Sequence, residues 1–360
     1  MRIAHVVLSH PTTSLQGDQK LVLYLAEAQR ARGQDAAVVT DRNGLFTDTY
    51  KQAGIPVLIA DDLRPDGAAS PTSSFPARIR QFDADIIHYH HIQAAKVTAP
   101  AATSLKLPRV ITMHTEVEPE LRGLVAAKRS GQDFTLVAVC KEQFEIMQRA
   151  DMAGIDFHYV PNGTKIPPGT GRPERRTSRL PNLISVGALQ FRKGIDVAIL
   201  AMVELRRRHG ADCPALNIYG EGAQGRYFME MADVLRLEDL VKFHGFQRDI
   251  LDRCSGSDIL IQPSRGDLGP LVILEAMGRG MPIVAADMGD ISEMLPDKKY
   301  GRVVPVESIT KLVDAIDATL ADIASGQFDP DLVIQRHRSQ FSSEKMADRI
   351  DDIYQSVLKP

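Results

Sequence analysis

Two carboxylates, Asp267 and Glu275, stand eight positions apart in the segment "RGDLGPLVILEAM", with Gly269 and Pro270 between them and an apolar run leading into the second. The segment follows the apolar stretch "DILIQPS", which reads as a strand, and the Gly-Pro step then opens a helix with Glu275 in its first turns. Amides at such a helix start, here those of Gly269 to Val272, point at an anion with help from the helix dipole, and a diphosphate suits them. A carboxylate about one turn further in can accept hydrogen bonds from two vicinal hydroxyls, which is how a ribose is held. Asp267, on the preceding loop, is placed to accept hydroxyls of a sugar beyond the diphosphate. The plainer alternative is a helix whose acids only cap its start. Arg265-Gly266-Asp267 also spells the cell-adhesion tripeptide, a match short enough to arise by chance.

Other polar residues allow a chemical and a plain reading in the same way. In "GALQFRKG", Arg192 and Lys193 lie between a strand and a helix, where two cations could neutralise a leaving diphosphate; the alternative is a solvated basic turn. Gly220, Gly222 and Gly225 have G-x-G-x-x-G spacing, but they follow an earlier strand and helix of their own half. A dinucleotide fingerprint belongs on the first strand of its unit, so a nicotinamide-dependent oxidoreductase is the weaker reading. Asp83 and Asp85 form an Asp-x-Asp that could hold a divalent ion, or could simply mark the turn before the strand "IIHYH". His88, His90 and His91 alternate along that strand and His114 ends the next. Histidine clusters can bind zinc, yet no cysteine pair or H-E-x-x-H supports it. His114 stands out as a hydrogen-bonding group because ligands collect at the carboxyl ends of strands in parallel sheets. Gly17, in "SLQGDQK", would let backbone approach a phosphate.

These residues need a scaffold, and the 360-residue chain is long enough for two domains. Its net charge of −3, with 44% hydrophobic and 25% charged residues, describes a globular protein without the positive field of a nucleic-acid binder. Cys140, Cys213 and Cys254 are far apart, with no disulfide framework and no zinc spacing, so a reducing cytoplasm is expected. Neither a signal peptide nor a membrane span is apparent. Short apolar runs alternate with helical patterns through the first half ("RIAHVVLS", "DAAVVT", "IPVLIA", "ADIIHYH", "PRVITMH", "FTLVAV") and again through the second ("NLISVGAL", "ALNIYG", "VKFHG", "DILIQPS", "PIVAA"). That rhythm predicts two parallel sheets wrapped by helices. The expected boundaries are a first domain over 1–165, a Pro/Gly-rich linker over 166–182, a second domain over 183–342, and a tail helix over 343–360.

Together, "QGDQKLVLYLAEAQRARG", "VITMH", "VAVCKEQ", "VPNG", "SVGALQFRKGIDV", "IYGEG", "VKFHGF" and above all "DLGPLVILEAMGRGMPIVAADMG" resemble the family 4 glycosyltransferases. The resemblance covers nearly the whole chain. It implies the GT-B architecture, with two Rossmann-like doubly wound α/β domains facing each other across a cleft and the tail helix returning to the first. It also implies a retaining, metal-independent transfer of a hexosyl group from a nucleoside diphosphate sugar (UDP- or GDP-linked) to a hydroxyl of a glycan, glycolipid or small molecule. Bacterial surface polysaccharide or glycoconjugate assembly is the commonest family role, and no separate cofactor is implied. Enzymes of this kind are cytoplasmic, some at the inner face of the membrane with peripheral contact to it. Residue by residue, Glu275 would bind ribose, Arg192, Lys193 and the segment Gly269, Pro270, Leu271 and Val272, through its amides other than the proline's, would surround the diphosphate, and Gly245 and Phe246 would border the base. Asp267 and His114 would touch the transferred sugar, Gly17 would approach the phosphate and Gln19 would face the acceptor. Two positions depart from the family pattern: the first Glu of its E-x7-E segment is Asp267, and an arginine common after "VG" is Ala188. Those departures keep open a protein that binds sugar nucleotide without turning it over.

Overall fold

The computed structural model describes residues 1–9, 17–63, 73–114, 121–129, 131–150, 154–166, 181–248, 250–254 and 258–359. Most of the expected linker therefore lies outside the described residues. The chain divides into two compact units, Met1–Gly163 with Ser343–Pro360, and Thr164–Ser342.

The first unit is built on a seven-stranded parallel sheet: β1 (Arg2–Val6), β2 (Asp35–Thr40), β3 (Val57–Ile59), β4 (Ile86–His90), β5 (Arg109–Met113), β6 (Thr135–Ala138) and β7 (Asp156–Tyr159), in the order β3-β2-β1-β4-β5-β6-β7. Between the strands run α1 (Gly17–Ala31), α2 (Leu45–Gln52), α3 (Phe75–Phe82), α4 (Ile92–Ala102), α5 (Leu121–Arg129) and α6 (Lys141–Arg149). Alternate residues of each strand face opposite ways. Ala4, Val6, Ile87, Tyr89, Ile111 and Met113 turn to one face and join the core under α3 to α6. The other face carries His5, His88, His90 and Thr112, all buried.

The second unit has a six-stranded parallel sheet made of β8 (Leu183–Val186), β9 (Leu216–Tyr219), β10 (Val241–Phe243), β11 (Ile259–Gln262), β12 (Ile283–Ala286) and β13 (Arg302–Val304), ordered β10-β9-β8-β11-β12-β13. Its helices are α7 (Ile195–His209), α8 (Gly225–Val234), α9 (Leu271–Gly278), α10 (Ile291–Met294), α11 (Ile309–Ser325) and α12 (Pro330–Arg336). One core packs α7, α8 and α11 on the sheet, and another packs α9, α10 and α12 on the opposite face. This is the two-sided covering that parallel sheets require.

The chain then returns to the first unit as α13 (Ser343–Leu358). Its apolar stripe of Met346, Ile350 and Ile353 is buried, Arg32 of the first unit pairs with Asp348 at 2.8 Å, and Tyr354 reaches His88 at 2.5 Å. Within the second unit, entry and exit run side by side: Thr164 bridges Ser342, its amide donates to the Phe341 carbonyl at 2.9 Å, and its hydroxyl meets His337 at 2.8 Å.

Candidate functional site

In each sheet the strand order reverses between its first and fourth strands. Ligands of doubly wound folds bind outside the carboxyl ends of the strands at that point. In the second unit the reversal falls between β8 and β11, which lead into "GALQFRKG" and "SRGDLGP". After β8 the chain makes one 3-10 turn, Phe191–Lys193, and enters α7 through Gly194 at φ +68°. A Cβ at Gly194 would lie 1.8 Å from the Pro263 carbonyl oxygen, so only glycine lets the basic turn rest on the end of β11.

This contact brings the predicted cation and carboxylate together. The Lys193 ammonium pairs with the Asp267 carboxylate, and both side chains are only 14% exposed, so the pair is largely withdrawn from water. Arg192 is exposed and donates from Nε to Gln190 at 2.9 Å. The two cations expected to act alike are thus in different situations, one neutralised by an acid and one open to solvent. Arg265 fastens the turn to the loop: its amide donates to the Arg192 carbonyl at 2.8 Å, and its guanidinium reaches the Phe191 carbonyl at 2.7 Å and both oxygens of Asp196 at 2.8 and 2.7 Å. Asp196 and Glu307, the latter at 2.5 Å, hold that guanidinium firmly protonated. Sequence reasoning passed over Arg265, Asp196 and Glu307, because nothing local marks residues 69 and 42 positions apart as partners.

Next to this pair, α9 begins after Pro270, which provides no side-chain cap, and the first turn of a helix leaves its amides without intrahelical acceptors. Leu271 and Val272 are half-buried there, and Glu275, the fifth residue of the helix, is also half-buried. At the end of β10, Gly245 has φ +66° and its carbonyl accepts from the Gly220 amide at 2.8 Å, while Phe246 is 48% exposed. Tyr219 and His244 stack nearby with ring centroids 4.6 Å apart.

Two of the G-x-G-x-x-G glycines are required by the packing of the chain on itself. A Cβ on Gly220 would fall 1.9 Å from the Gly187 carbonyl oxygen, and one on Gly222 would fall 2.5 Å from that of Leu189. The space is filled by the chain's own backbone, so these glycines join the loops after β8 and β9, and the nicotinamide reading loses its motif.

In the first unit, His91 and Gly17 stand on other elements than the sequence suggests. His91 is not on the strand: β4 ends at His90, and His91 precedes α4 at φ +80° with its Nε2 on Asp18 at 2.9 Å. Gln19, on α1, is buried, and its backbone carbonyl accepts from the Tyr50 hydroxyl at 2.7 Å. Gly17 is the first residue of α1 rather than part of the preceding loop, and it is exposed. Asp83 and Asp85 both secure the first strand: the Arg2 amide donates to Asp85 at 2.7 Å and the Arg2 guanidinium pairs with Asp83 at 2.5 Å.

The histidines form a layer on one face of the first sheet. His5 Nδ1 lies 3.0 Å from His90 Nε2, His90 Nδ1 lies 3.2 Å from His114 Nε2, and His5 Nε2 lies 2.8 Å from Oε1 of Gln29. His88 is held separately by Tyr354 and by the Thr112 hydroxyl at 2.7 Å. Burial keeps these rings neutral, lowering His5 to about 4 and His114 to about 3, with His88 and His90 also well below the usual imidazole range. All three cysteines are buried, and none forms a disulfide among the described residues.

Two Rossmann-like units, each on a parallel sheet whose strand order reverses at its centre, have the GT-B fold. The profile described as Glycosyltransferase Family 4 matches residues 16–166, and that described as Glycosyl transferases group 1 matches residues 172–326. The chain belongs to the family 4 glycosyltransferases. Among curated relatives, glycogen synthase of Mycobacterium tuberculosis is 24% identical, over 98% of this chain and 94% of the relative. A D-inositol 3-phosphate glycosyltransferase of Xylanimonas cellulosilytica is 28% identical, over 88% of this chain and 86% of its own. Among solved structures, Anabaena Alr3699/HepE in complex with UDP and glucose superposes with a TM-score of 0.78 at 20% identity, covering 99% of this chain and 100% of that one. Sucrose-phosphate synthase from Thermosynechococcus elongatus gives 0.75 at 16% identity, covering 99% of this chain. Among the described residues, no helix is long and apolar enough to cross a membrane.

Proposed function

We propose that the protein transfers a hexosyl group from a UDP- or GDP-sugar to an acceptor hydroxyl with retention at the anomeric carbon, and that it does so without a metal ion. The observation that carries this reading is the meeting of Lys193 and Asp267 beside the first turn of α9, with Glu275 one turn further in. A diphosphate entering there displaces the Lys193 ammonium from Asp267. Lys193, Arg192 and the amides of Gly269 to Val272, Pro270 excepted, then face phosphate oxygens, and the released Asp267 accepts sugar hydroxyls. Glu275 holds the ribose, and Gly245 and Phe246 border the base. His114 and the backbone at Gly17 belong to the same reading, as contacts of the sugar and of the phosphate.

The bond from the anomeric carbon to the phosphate oxygen breaks as the acceptor oxygen bonds to that carbon on the same face. The leaving phosphate oxygen takes the acceptor proton, and the cations and amides stabilise its charge. The binding of UDP and glucose by the Anabaena relative supports a nucleotide-sugar donor, and glycan or glycolipid assembly in the cytoplasm or at the inner membrane face is the setting in which such a donor is used. Titration calorimetry with UDP, GDP and their hexoses identifies the donor, and NMR of the product reads the anomer. Inversion at the anomeric carbon overturns retention, inactivation by chelator reversed by manganese overturns metal independence, and donor binding with no transfer to any acceptor identifies a binding protein.

A further inference from the structure

We infer that His5 and His90 are positioning residues that hold His114 in a single tautomer, with Nε2 protonated and Nδ1 left as an acceptor. The inference rests on the reading of His114 as a sugar contact, which it deepens by naming the atom presented and what fixes it.

The argument is one of donors and acceptors. With the Gln29 amide oriented so that Oε1 faces His5, that oxygen can only accept, and the His5 nitrogen 2.8 Å from it, Nε2, carries the proton. This orientation leaves Gln29 Nε2 buried without a hydrogen-bond partner among the described residues, and the reversed amide would invert every tautomer in the chain, which is what the spectra below read. A neutral imidazole has one proton, and His5 Nδ1 is therefore an acceptor. It faces His90 Nε2 at 3.0 Å, which must donate, leaving His90 Nδ1 as an acceptor in its turn. His90 Nδ1 faces His114 Nε2 at 3.2 Å, so the last ring donates inward and its Nδ1 lone pair is unprotonated. Each ring depends on the one before it, and Gln29 on α1 sets the direction for all three.

The sheet explains why the rings meet. His5 on β1 is in register with His88 on β4, and His90 is two residues beyond His88 on the same face. His90 is in register with Thr112 on β5, and His114 is two residues beyond Thr112. His88 is satisfied by Tyr354 and Thr112, so it packs against His90 at 4.3 Å between centroids without diverting the chain. His91, 5.1 Å from His114, is engaged with Asp18. Neutral rings suit this arrangement, since one added proton would place two donors face to face in a buried layer.

The other use of three buried histidines is a metal. One nitrogen of each of His5, His88 and His90 lies within 4.8 Å of the others, but an ion there would need lone pairs that the hydrogen bonds above already use. The relay is the reading in which every ring has a partner.

The test reads the tautomer itself, apart from glycosyl transfer. In the full-length protein with 15N-labelled histidine, two-bond proton–nitrogen NMR spectra should show His114 with pyrrole-type Nε2 and pyridine-type Nδ1. His90→Gln, whose amide can accept from His114 and donate to His5, should keep that pattern and most of the turnover. His90→Leu should mix the tautomers and lower kcat about tenfold with little change in the KM for donor, the loss expected from one misdirected hydrogen bond. A parent spectrum with the proton on Nδ1, or an unchanged His114 pattern in His90→Leu, overturns the relay whatever the activity. Loss of the pyridine-type signals of His5 and His90 on adding one equivalent of zinc overturns it in favour of a metal site. If His90→Leu does not fold, the parent spectrum still decides. A correct tautomer with no transfer to any acceptor counts against the proposed function and leaves the relay standing.

Discussion

Acid should destabilise the first unit well before its carboxylates titrate. His5 is fully buried with its pKa lowered to about 4 from an ordinary 6.5, so between those values the unfolded chain binds the proton and the folded one does not. For a base with a depressed folded pKa, the stabilisation is complete above 6.5 and is lost as pH falls from there toward 4. At about pH 5 the loss from His5 alone is about 2 kcal/mol. His114, lowered to about 3 by burial and then by the neighbouring His91, loses a comparable amount over the same range, and His88 and His90 act in the same direction. Against a total stability of about 5–15 kcal/mol, such a loss is large. Asp351 opposes it, because burial raises its carboxyl, while Asp41, held below its usual range by Ser9 and Arg42 despite its burial, contributes only at lower pH. Urea denaturation at about pH 7.5 and about pH 5, followed by near-ultraviolet signals from the tyrosines, gives the two stabilities. His5→Gln should reduce the difference between them by about 2 kcal/mol. Because the comparison is made within each protein, a variant that is weaker overall still reports. Equal stability of the parent at both pH values would refute the claim that these rings are buried and neutral.

In the second unit, Glu275→Ala should abolish measurable donor binding in calorimetry with the fold retained by circular dichroism; unchanged affinity would leave Glu275 as a helix residue only. The double change Arg192→Ala with Lys193→Ala should lower kcat roughly 100-fold or more while weakening binding of the nucleoside less, since charge builds on the diphosphate as the glycosidic bond breaks. Parent-like turnover would put both cations outside the reaction. Asp267→Ala should remove a hydrogen bond to a charged acceptor, about 1.5–3 kcal/mol, and release Lys193. Asp267→Glu should keep activity but change the ranking of donor sugars more than that of nucleotide bases, which competition between matched donors measures.

The architecture was largely legible in the sequence. Of the strands, β2 was read to the residue, because the apolar run Ala36 to Val39 in "DAAVVT" is flanked by polar residues on both sides. The strands β7 and β13 were missed for a shared reason. Each is a sheet edge, only four and three residues long, so "DFHY" and "RVV" lack the continuous apolar run of a strand buried on both faces. The switch-point residues Arg192, Lys193, Asp267 and Glu275 could be found because each sits at a strand-to-helix junction, a local pattern. Their partnerships could not: Lys193 with Asp267, and Arg265 with Asp196, join positions 74 and 69 apart through the adjacency of β8 and β11. The histidine layer is harder still, since it joins β1, β4, β5, α1 and α13 and its longest link spans 266 positions. Buried amphiphilic groups of this kind depend on register between strands, and a single sequence does not print register.

The return of α13 has a consequence for how the molecule is made. A chain emerges from the ribosome in order, and domains generally fold as they are completed. The second unit is one unbroken stretch whose ends already pair through Thr164 and Ser342, so nothing prevents it from folding as soon as it is out. The first unit, although begun earlier, waits: His88 has no hydroxyl from Tyr354, and Arg32 has neither Asp348 nor Asp351, until the whole intervening unit has been synthesised. In birth order the older half is the last to be finished. A nascent chain arrested after Ser342 would carry a complete younger half behind an unclosed older one, with the histidine layer still open on the side that α13 later covers.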